Sequence, residues 1–320
     1  MISASKNLLT GEHIRELTAY AFPGRYAADI SELTAGLCNA LYVVTLDNGT
    51  KTVLKVSSPG MEGKTTNEQW LIESETASMK MVAEHLPGLP APKVLFYDDS
   101  MTRCSGKYFF MEFLEGDLMM PLRRTLTQEQ SKARYHAMGR AVRDIGTIKH
   151  HSFGIVNSGI EFDSLYGVVN QLIGNITGDM EACGADMGVT RDEILARLLA
   201  DKPYFDEVTE ASLVHFDIWE NNILVSGNKI TGIVDWDRAL WGEPLMEDRF
   251  RVYGMNPDFL EGFGQTEFSE SEQRRLTWYN LWIHLAFMGE HFSRKYDTEE
   301  DYRNNRAGML NFWNKLTGQN

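Results

Sequence analysis

The chain has 320 residues, more than one compact core usually holds, and 43% of them are hydrophobic, so we expect two folded lobes and little disorder. Its net charge of −14 comes without a basic patch, which excludes an ordinary nucleic-acid binder, and no apolar run approaches the roughly 20 residues that span a bilayer. Three scattered cysteines and an N-terminus without a signal-peptide block argue against a disulfide framework, so we expect a cytoplasmic protein with no membrane partner.

The first third of the chain predicts a small antiparallel sheet with one main helix. Residues 12–20 read as a short leading helix, and residues 67–86 show the periodicity of a longer one, ended by the proline-rich stretch 87–92. The turn Asp47-Asn48-Gly49 is typical of a hairpin. The strand-like runs are 29–34, 40–46, 51–57, 93–98 and 107–113.

Beyond residues 115–117 the pattern becomes mostly helical. Thr127 and Gln130 have the spacing of a capping box that opens a helix. Further helices are predicted at about 164–182, 191–200 and 271–292. The exception is a strand-rich island at residues 212–236, so the fold class is α+β: a sheet lobe, a connector, and a helical lobe interrupted by one hairpin.

The island carries the polar residues with the clearest chemistry. If Val225 pairs with Ile230 in the hairpin, Asn222 falls opposite Ile233, and Asp235 lies just past the same end. Asp217, in the loop that precedes the first strand, can reach the same end of the hairpin. An amide oxygen and a carboxylate suit Mg²⁺, and another carboxylate nearby could accept a proton from an acceptor hydroxyl; phosphoryl transfer needs these parts.

Three neighbouring residues remain open from the sequence. His215 could act as an acid or base, but we favour a role in holding the loop through hydrogen bonds. For Asp237 and Arg238 a local ion pair is the default expectation. Asn222 and Asp235, taken singly, could also do no more than cap a surface hairpin.

The pattern His-x-Asp-x-x-x-x-Asn at His215, Asp217 and Asn222, followed by Asp235-Trp236, resembles the aminoglycoside phosphotransferase and choline kinase superfamily. The resemblance implies a bilobal protein-kinase-like fold that uses ATP or GTP with Mg²⁺. Asp217 would be the catalytic base, and Asn222 and Asp235 would hold the metal. Many relatives carry glycine where Phe216 stands, a departure that leaves the acceptor subgroup open.

The same resemblance implies a nucleotide site in the N-terminal half. Lys55, in the third predicted strand, would grip the α- and β-phosphates, paired with a helix glutamate for which Glu75 fits best and Glu73 is the rival. Gly36 in the loop 34–39 would let the backbone approach phosphate. Backbone groups of Glu112 and Leu114 would bind adenine, so that residues 1–111 form the nucleotide lobe, 112–118 the hinge, and 119–320 the catalytic and acceptor lobe.

The acceptor is expected to be a small polar molecule, with a cationic, aminoglycoside-like compound as the leading candidate. Glu290, Glu261 and Asp258 could bind its ammonium groups or could be ordinary surface carboxylates. The aromatic run 278–288 could cage a quaternary ammonium, as in choline kinases, although a buried helix explains it more simply. A choline-, ketosamine- or amino-acid-type kinase, or a nucleotide-binding scaffold without turnover, are the alternatives.

Overall fold

The computed structural model describes residues 6–33, 39–251, 255–296 and 299–319. The N-terminal part begins with helix α1 (Gly11–Ala21) and contains helix α2 (Leu71–His85), which follows a short 3-10 turn at Thr66–Glu68. Its strands form one antiparallel sheet in the order β1-β2-β3-β5-β4. The strands are β1 (Ala27–Leu33), β2 (Ala40–Leu46), β3 (Lys51–Val56), β4 (Val94–Asp98) and β5 (Tyr108–Glu112). The sheet and its inserted helix are as expected from the sequence.

Strand β3 is buried on both faces, and its alternation decides where Lys55 points. Leu54 and Val56 join a small core with Ile14 and Leu17 of α1. Val53, on the opposite face, packs in the larger core that includes α2 and the helical part of the molecule. Because side chains two apart in a strand share a face, Lys55 points with Val53 toward α2 and the helical part.

The C-terminal part is mostly helical. Helix α4 begins at the predicted capping box, in which Thr127 accepts from the Gln130 backbone N–H and Gln130 reaches back to the Thr127 N–H. Helix α9 is buried along most of its length, and all of residues 278–288 except Phe287 are buried, which confirms that this aromatic run is a buried helix. The helices are α3 (Met119–Leu122), α4 (Gln128–Ile145), α5 (Leu165–Ala182), α6 (Arg191–Ala200), α7 (Lys202–Asp206), α8 (Pro257–Phe263), α9 (Glu270–Ser293) and α10 (Glu299–Thr317).

Within the described residues of this helical part, seven short strands form two small sheets. One has the order β11-β10-β6 and the other β7-β9-β12-β8. Among the helices that the structure describes, none is long and apolar enough to cross a membrane. Cys104 and Cys183 are both free thiols, and Cys38 lies outside the described residues. The strands are β6 (Asp117–Leu118), β7 (Lys149–His150), β8 (Gly154–Ile155), β9 (Ala211–Val214), β10 (Ile223–Ser226), β11 (Lys229–Ile233) and β12 (Leu240–Gly242).

The predicted hairpin register is wrong by one residue. Val225 pairs with Ile230 as expected, but a bulge between Leu224 and Val225 shifts the remaining pairs. Ile223 therefore faces Ile233, and the Asn222 carbonyl accepts a hydrogen bond of 3.0 Å from the Val234 N–H. A bulge adds one residue to one strand of a pair, and here it carries Asn222 one position closer to Asp235.

Candidate active site

Lys55 lies at the centre of a buried charge cluster. Its Nζ is 2.6 Å from Oε2 of Glu75, 2.6 Å from Oδ1 of Asp235 and 3.4 Å from Oδ2 of Asp237. The rival, Glu73, pairs instead with Lys107. Strand β3, helix α2 and the end of strand β11 thus contribute to one cluster, which joins the two parts of the molecule.

The cluster shifts the pKa values of its members in different directions. Burial would lower the pKa of Lys55, but Asp235 and Glu75 outweigh it and hold the pKa well above its usual value, so the ammonium stays charged. Burial raises the pKa of Glu75 to about 8, against the attraction of Lys55. Burial and the neighbouring Asp235 raise the pKa of Asp237 to about 7. Burial would also raise the pKa of Asp235, yet Lys55 prevails and lowers it, which marks Asp235 as the main carboxylate partner of the lysine.

The loop between strands β9 and β10 presents Asp217 beside Asn222. The Asn222 Nδ2 donates to both the Oδ2 and the backbone carbonyl of Asp217, each at 2.9 Å. Among the residues that the structure describes, nothing donates to Oδ1 of either side chain. Burial raises the pKa of Asp217 well above its usual value, although Arg238 opposes the shift. Asn222 adjoins Val234, so Asp217, Asn222 and Asp235 gather at one end of the hairpin, where the sequence analysis expected them.

His215 holds this loop in place. The Asp217 N–H donates to Nδ1 of His215 at 3.3 Å, and Nε2 lies 3.1 Å from the Val234 carbonyl. This pattern fixes a neutral ring with its proton on Nε2. Burial lowers the pKa of His215 to about 4. The ring therefore connects the Asp217 loop to the strand that precedes Asp235, and it is not placed as an acid or base.

A second brace comes from a buried carboxylate that the sequence analysis did not identify. Glu247 accepts hydrogen bonds from the backbone N–H of Phe216 at 3.0 Å and of Ile218 at 2.7 Å, on either side of Asp217. It also accepts from its neighbour Asp248 at 2.9 Å. Arg251 donates to the Phe216 carbonyl. The charged run 247–251 looks like a solvated turn in the sequence, so no local signal separates these positioning residues from surface charges.

Other predicted site residues have separate positions. Glu112 ends strand β5, where its N–H donates to the Lys93 carbonyl at 3.0 Å, and Leu114 follows in the connector. Gly36 lies outside the described residues. Glu290 is bound to Arg238 and Arg294, whereas the exposed Glu261 pairs with Lys132 on helix α4. These three glutamates thus lie in three different environments, and only Glu290 lies near the Asp217 loop.

The donor set at the hairpin end fits a hard divalent cation. With the Asn222 Nδ2 engaged by Asp217, its Oδ1 is the oxygen left to accept. The Asp235 side chain is 42% exposed and uses only Oδ1 on Lys55. An amide oxygen and a partly exposed carboxylate oxygen are ligands that Mg²⁺ accepts, together with water and phosphate.

Comparison with known proteins agrees with this architecture. A family model described as the phosphotransferase enzyme family (APH) matches residues 29–247. No curated protein sequence matches the chain significantly. Among solved structures, a thermostable mutant of aminoglycoside phosphotransferase APH(4)-Ia is similar with a TM-score of 0.66 at 18% identity, covering 97% of this chain and 100% of that one.

Two ligand-bound structures are similar as well. The streptomycin-ATP-APH(2")-IIa ternary complex gives a TM-score of 0.61 at 13% identity, covering 97% of each chain. A mutant of APH(4)-Ia in ternary complex with ADP and hygromycin B gives 0.63 at 17% identity, covering 93% of this chain and 97% of that one. At these identities the likeness establishes the fold, which is the α+β, protein-kinase-like arrangement expected from the sequence. With more than half of its length matched by the family model, the chain belongs to the phosphotransferase enzyme family.

Proposed function

We propose that this phosphotransferase is a small-molecule kinase that transfers the γ-phosphate of ATP to a hydroxyl group of a small acceptor. The observation that carries the proposal is the fixed position of Asp217. Asn222 donates to its carboxylate, His215 accepts from its backbone N–H, and Glu247 accepts from the N–H of the preceding residue. The same end of the hairpin places Asp235 beside Lys55. A carboxylate fixed from several sides beside a phosphate-binding lysine is the arrangement that phosphoryl transfer requires.

Asp217 would act as the general base. Its Oδ2 is occupied by Asn222, so Oδ1 is the atom that takes the proton of the acceptor hydroxyl. The acceptor oxygen then bonds to the γ-phosphorus, the bond from that phosphorus to the bridging oxygen breaks, and ADP leaves with the electron pair. Burial raises the pKa of Asp217, and a carboxylate with a raised pKa holds the transferred proton better.

Lys55 would bind the nucleotide phosphates. Its ammonium stays charged, and Glu75, fully buried on helix α2, fixes its position. Asn222 and Asp235 would hold Mg²⁺, which when bound neutralises phosphate charge. The connector 112–118 would receive the adenine; because the Glu112 N–H is already bound to Lys93, the contact at that residue would use its carbonyl, with the N–H of Leu114 as the second group.

ATP and GTP turnover with a panel of alcohols tests the proposal. The panel contains hygromycin B, choline, fructosamine, homoserine and the uncharged 3-phenylpropane-1,2-diol, and the D217N variant serves as the inactive reference. We expect Mg²⁺-dependent phosphate transfer to at least one alcohol, lost in D217N while nucleotide binding persists. Nucleotide binding without transfer to any alcohol, or transfer unaffected by D217N, would refute the proposal; the former result would favour the scaffold.

A further inference from the structure

A pocket opens beside the Asp217 loop, between the segment before helix α2 and helices α5 and α9. Its interior holds about 40 Å³, and it reaches about 520 Å³ only when the space that opens to solvent is counted, so it is an open cleft and not a closed cavity. Nine of its fifteen lining side chains are apolar. Those that form the main walls are Trp70, Leu172, Ile176, Leu240, Trp282 and Ala286.

The pocket adjoins the reacting groups. Phe216, the residue before the proposed base, forms part of its wall, and its ring centroid lies 4.7 Å from that of Trp282. Asp237 and Arg238, which follow Asp235, line the same space. A molecule held here would therefore lie next to the Asp217 loop, where an acceptor hydroxyl has to be.

Both glutamates that line the pocket are already neutralised. Oε1 of Glu68 is 2.6 Å from Arg294 and 3.3 Å from Arg238, while its Oε2 accepts from Thr65. Oε1 of Glu290 is 2.7 Å from Arg238, and its Oε2 is 2.8 Å from Arg294. Two arginines and two glutamates sum to zero charge, and each of the four carboxylate oxygens has a donor.

The remaining polar groups offer no better site for a cation. The Asn67 side chain donates to the Leu172 carbonyl and accepts from Asn175. Asp237 is 3.4 Å from Nζ of Lys55. Burial would raise the pKa of Glu68, but Arg238 and Arg294 outweigh it and lower the pKa, so that carboxylate stays ionised and paired. An ammonium group entering the pocket would lose its hydration, and each carboxylate that it could meet already lies beside an arginine or the Lys55 ammonium.

We propose, resting on the kinase function above, that the acceptor is an alcohol with a small apolar body and no positive charge. The reasons are the apolar walls and the internally neutralised glutamates. From the sequence, Glu290 could either bind an ammonium group or be an ordinary surface carboxylate, and its two arginine partners give it a structural role instead. The polycationic aminosugars named in the similar structures therefore do not match this pocket.

A matched pair of probes tests the proposal. 3-Phenylpropane-1,2-diol and phenylalaninol share a benzyl body and a terminal hydroxyl, and they differ in carrying a second hydroxyl or an ammonium. Their binding, and that of hygromycin B, is measured by saturation-transfer NMR and calorimetry on the full chain with a non-hydrolysable ATP analogue and Mg²⁺. We expect the diol to bind at least about tenfold more tightly than phenylalaninol, because only the ammonium has to be desolvated without a partner.

The variant R294Q removes one of the two neutralising cations. The ratio of diol affinity to phenylalaninol affinity should be smaller in this variant than in the unmodified protein. Its melting temperature and its nucleotide affinity show whether it is folded. Tighter binding of phenylalaninol or hygromycin B to the unmodified protein, or no binding of the diol up to its solubility limit, would overturn the proposal. Because these probes report on binding and not on transfer, an inactive protein that still prefers the diol would refute the kinase function and leave the pocket assignment standing.

Discussion

Replacing Glu247 with glutamine tests whether the buried carboxylate positions the Asp217 loop. Oε1 accepts from the N–H groups of Ile218 and Asp248, and Oε2 accepts from the N–H of Phe216. A glutamine can place its single oxygen where Oε1 lies and still accept from Ile218 and Asp248. Its NH₂ group then faces the Phe216 N–H, so two donors meet and that hydrogen bond is lost. One charge-assisted bond, of about 1.5–3 kcal/mol, is lost, and two weaken to neutral bonds, for a total of about 4 kcal/mol.

The expected kinetic effect is a fall in kcat of about 10²-fold, since a small displacement of a catalytic group costs that much. The KM for ATP should change little, because Lys55 and Asp235 stand on other elements. Urea unfolding and steady-state turnover measure the two effects. E261Q is the matched control: the Glu261 side chain is 58% exposed and lies 3.6 Å from Nζ of Lys132, and the loss of this exposed ion pair should cost less than about 1 kcal/mol. If E247Q has the same unfolding free energy and the same kcat as E261Q, the Glu247 carboxylate does not position the loop.

The remaining predictions concern the reacting groups. D217N should lower turnover by about 10²–10⁴-fold at unchanged nucleotide affinity; near-normal turnover would remove Asp217 as base. D235A should weaken nucleotide binding most at high Mg²⁺, and a binding titration with unaltered magnesium dependence would contradict the ligand assignment. The pKa of buried His215, lowered to about 4, lies below its unfolded value, so its contribution to stability is complete above about pH 6.5 and disappears as the pH falls. Between about pH 7 and 5 this removes about 2 kcal/mol of unfolding free energy, a difference that H215N should lack in urea titrations.

Local signals in the sequence were sufficient for most elements. The Asp47-Asn48-Gly49 turn lies between strands β2 and β3, and the Thr127 capping box begins helix α4. These features depend on residues within a few positions of one another, which is the range over which turn and cap chemistry acts. The spacing of Asp217, Asn222 and Asp235 was informative for the same reason, because one short hairpin brings them together.

Features set by packing were harder to predict. The register shift in the hairpin places Thr231 as the extra residue, and the neighbouring Gly232 was its one local signal, which an isolated glycine in a strand gives only weakly. Helix α10 was missed because only Met309, Trp313 and Leu316 are buried among its 19 residues. Their spacing of four and three residues is helical and would have been the signal, but the polar majority concealed it.

The ion network beside the pocket could not be read from the sequence. Arg238 meets Glu68 across 170 positions and Glu290 across 52. Single charged residues at such separations look the same whether they end buried in a network or exposed to water, because the difference arises only when the elements pack. Glu290 was therefore a candidate for binding a cation in the sequence, and only its two arginine partners show otherwise.

Phe216 connects the catalytic loop to the pocket. Its φ of +73° is a conformation that favours glycine. The phenylalanine ring packs on Trp282 and lies 4.5 Å from the Arg251 guanidinium. The backbone N–H of Phe216 donates to Glu247, and its carbonyl accepts from Arg251. Strain of about 1–2 kcal/mol is thus offset by contacts that also complete the apolar wall. A glycine would relax the loop but open that wall, so the strained backbone and the closed apolar wall are two consequences of the same side chain.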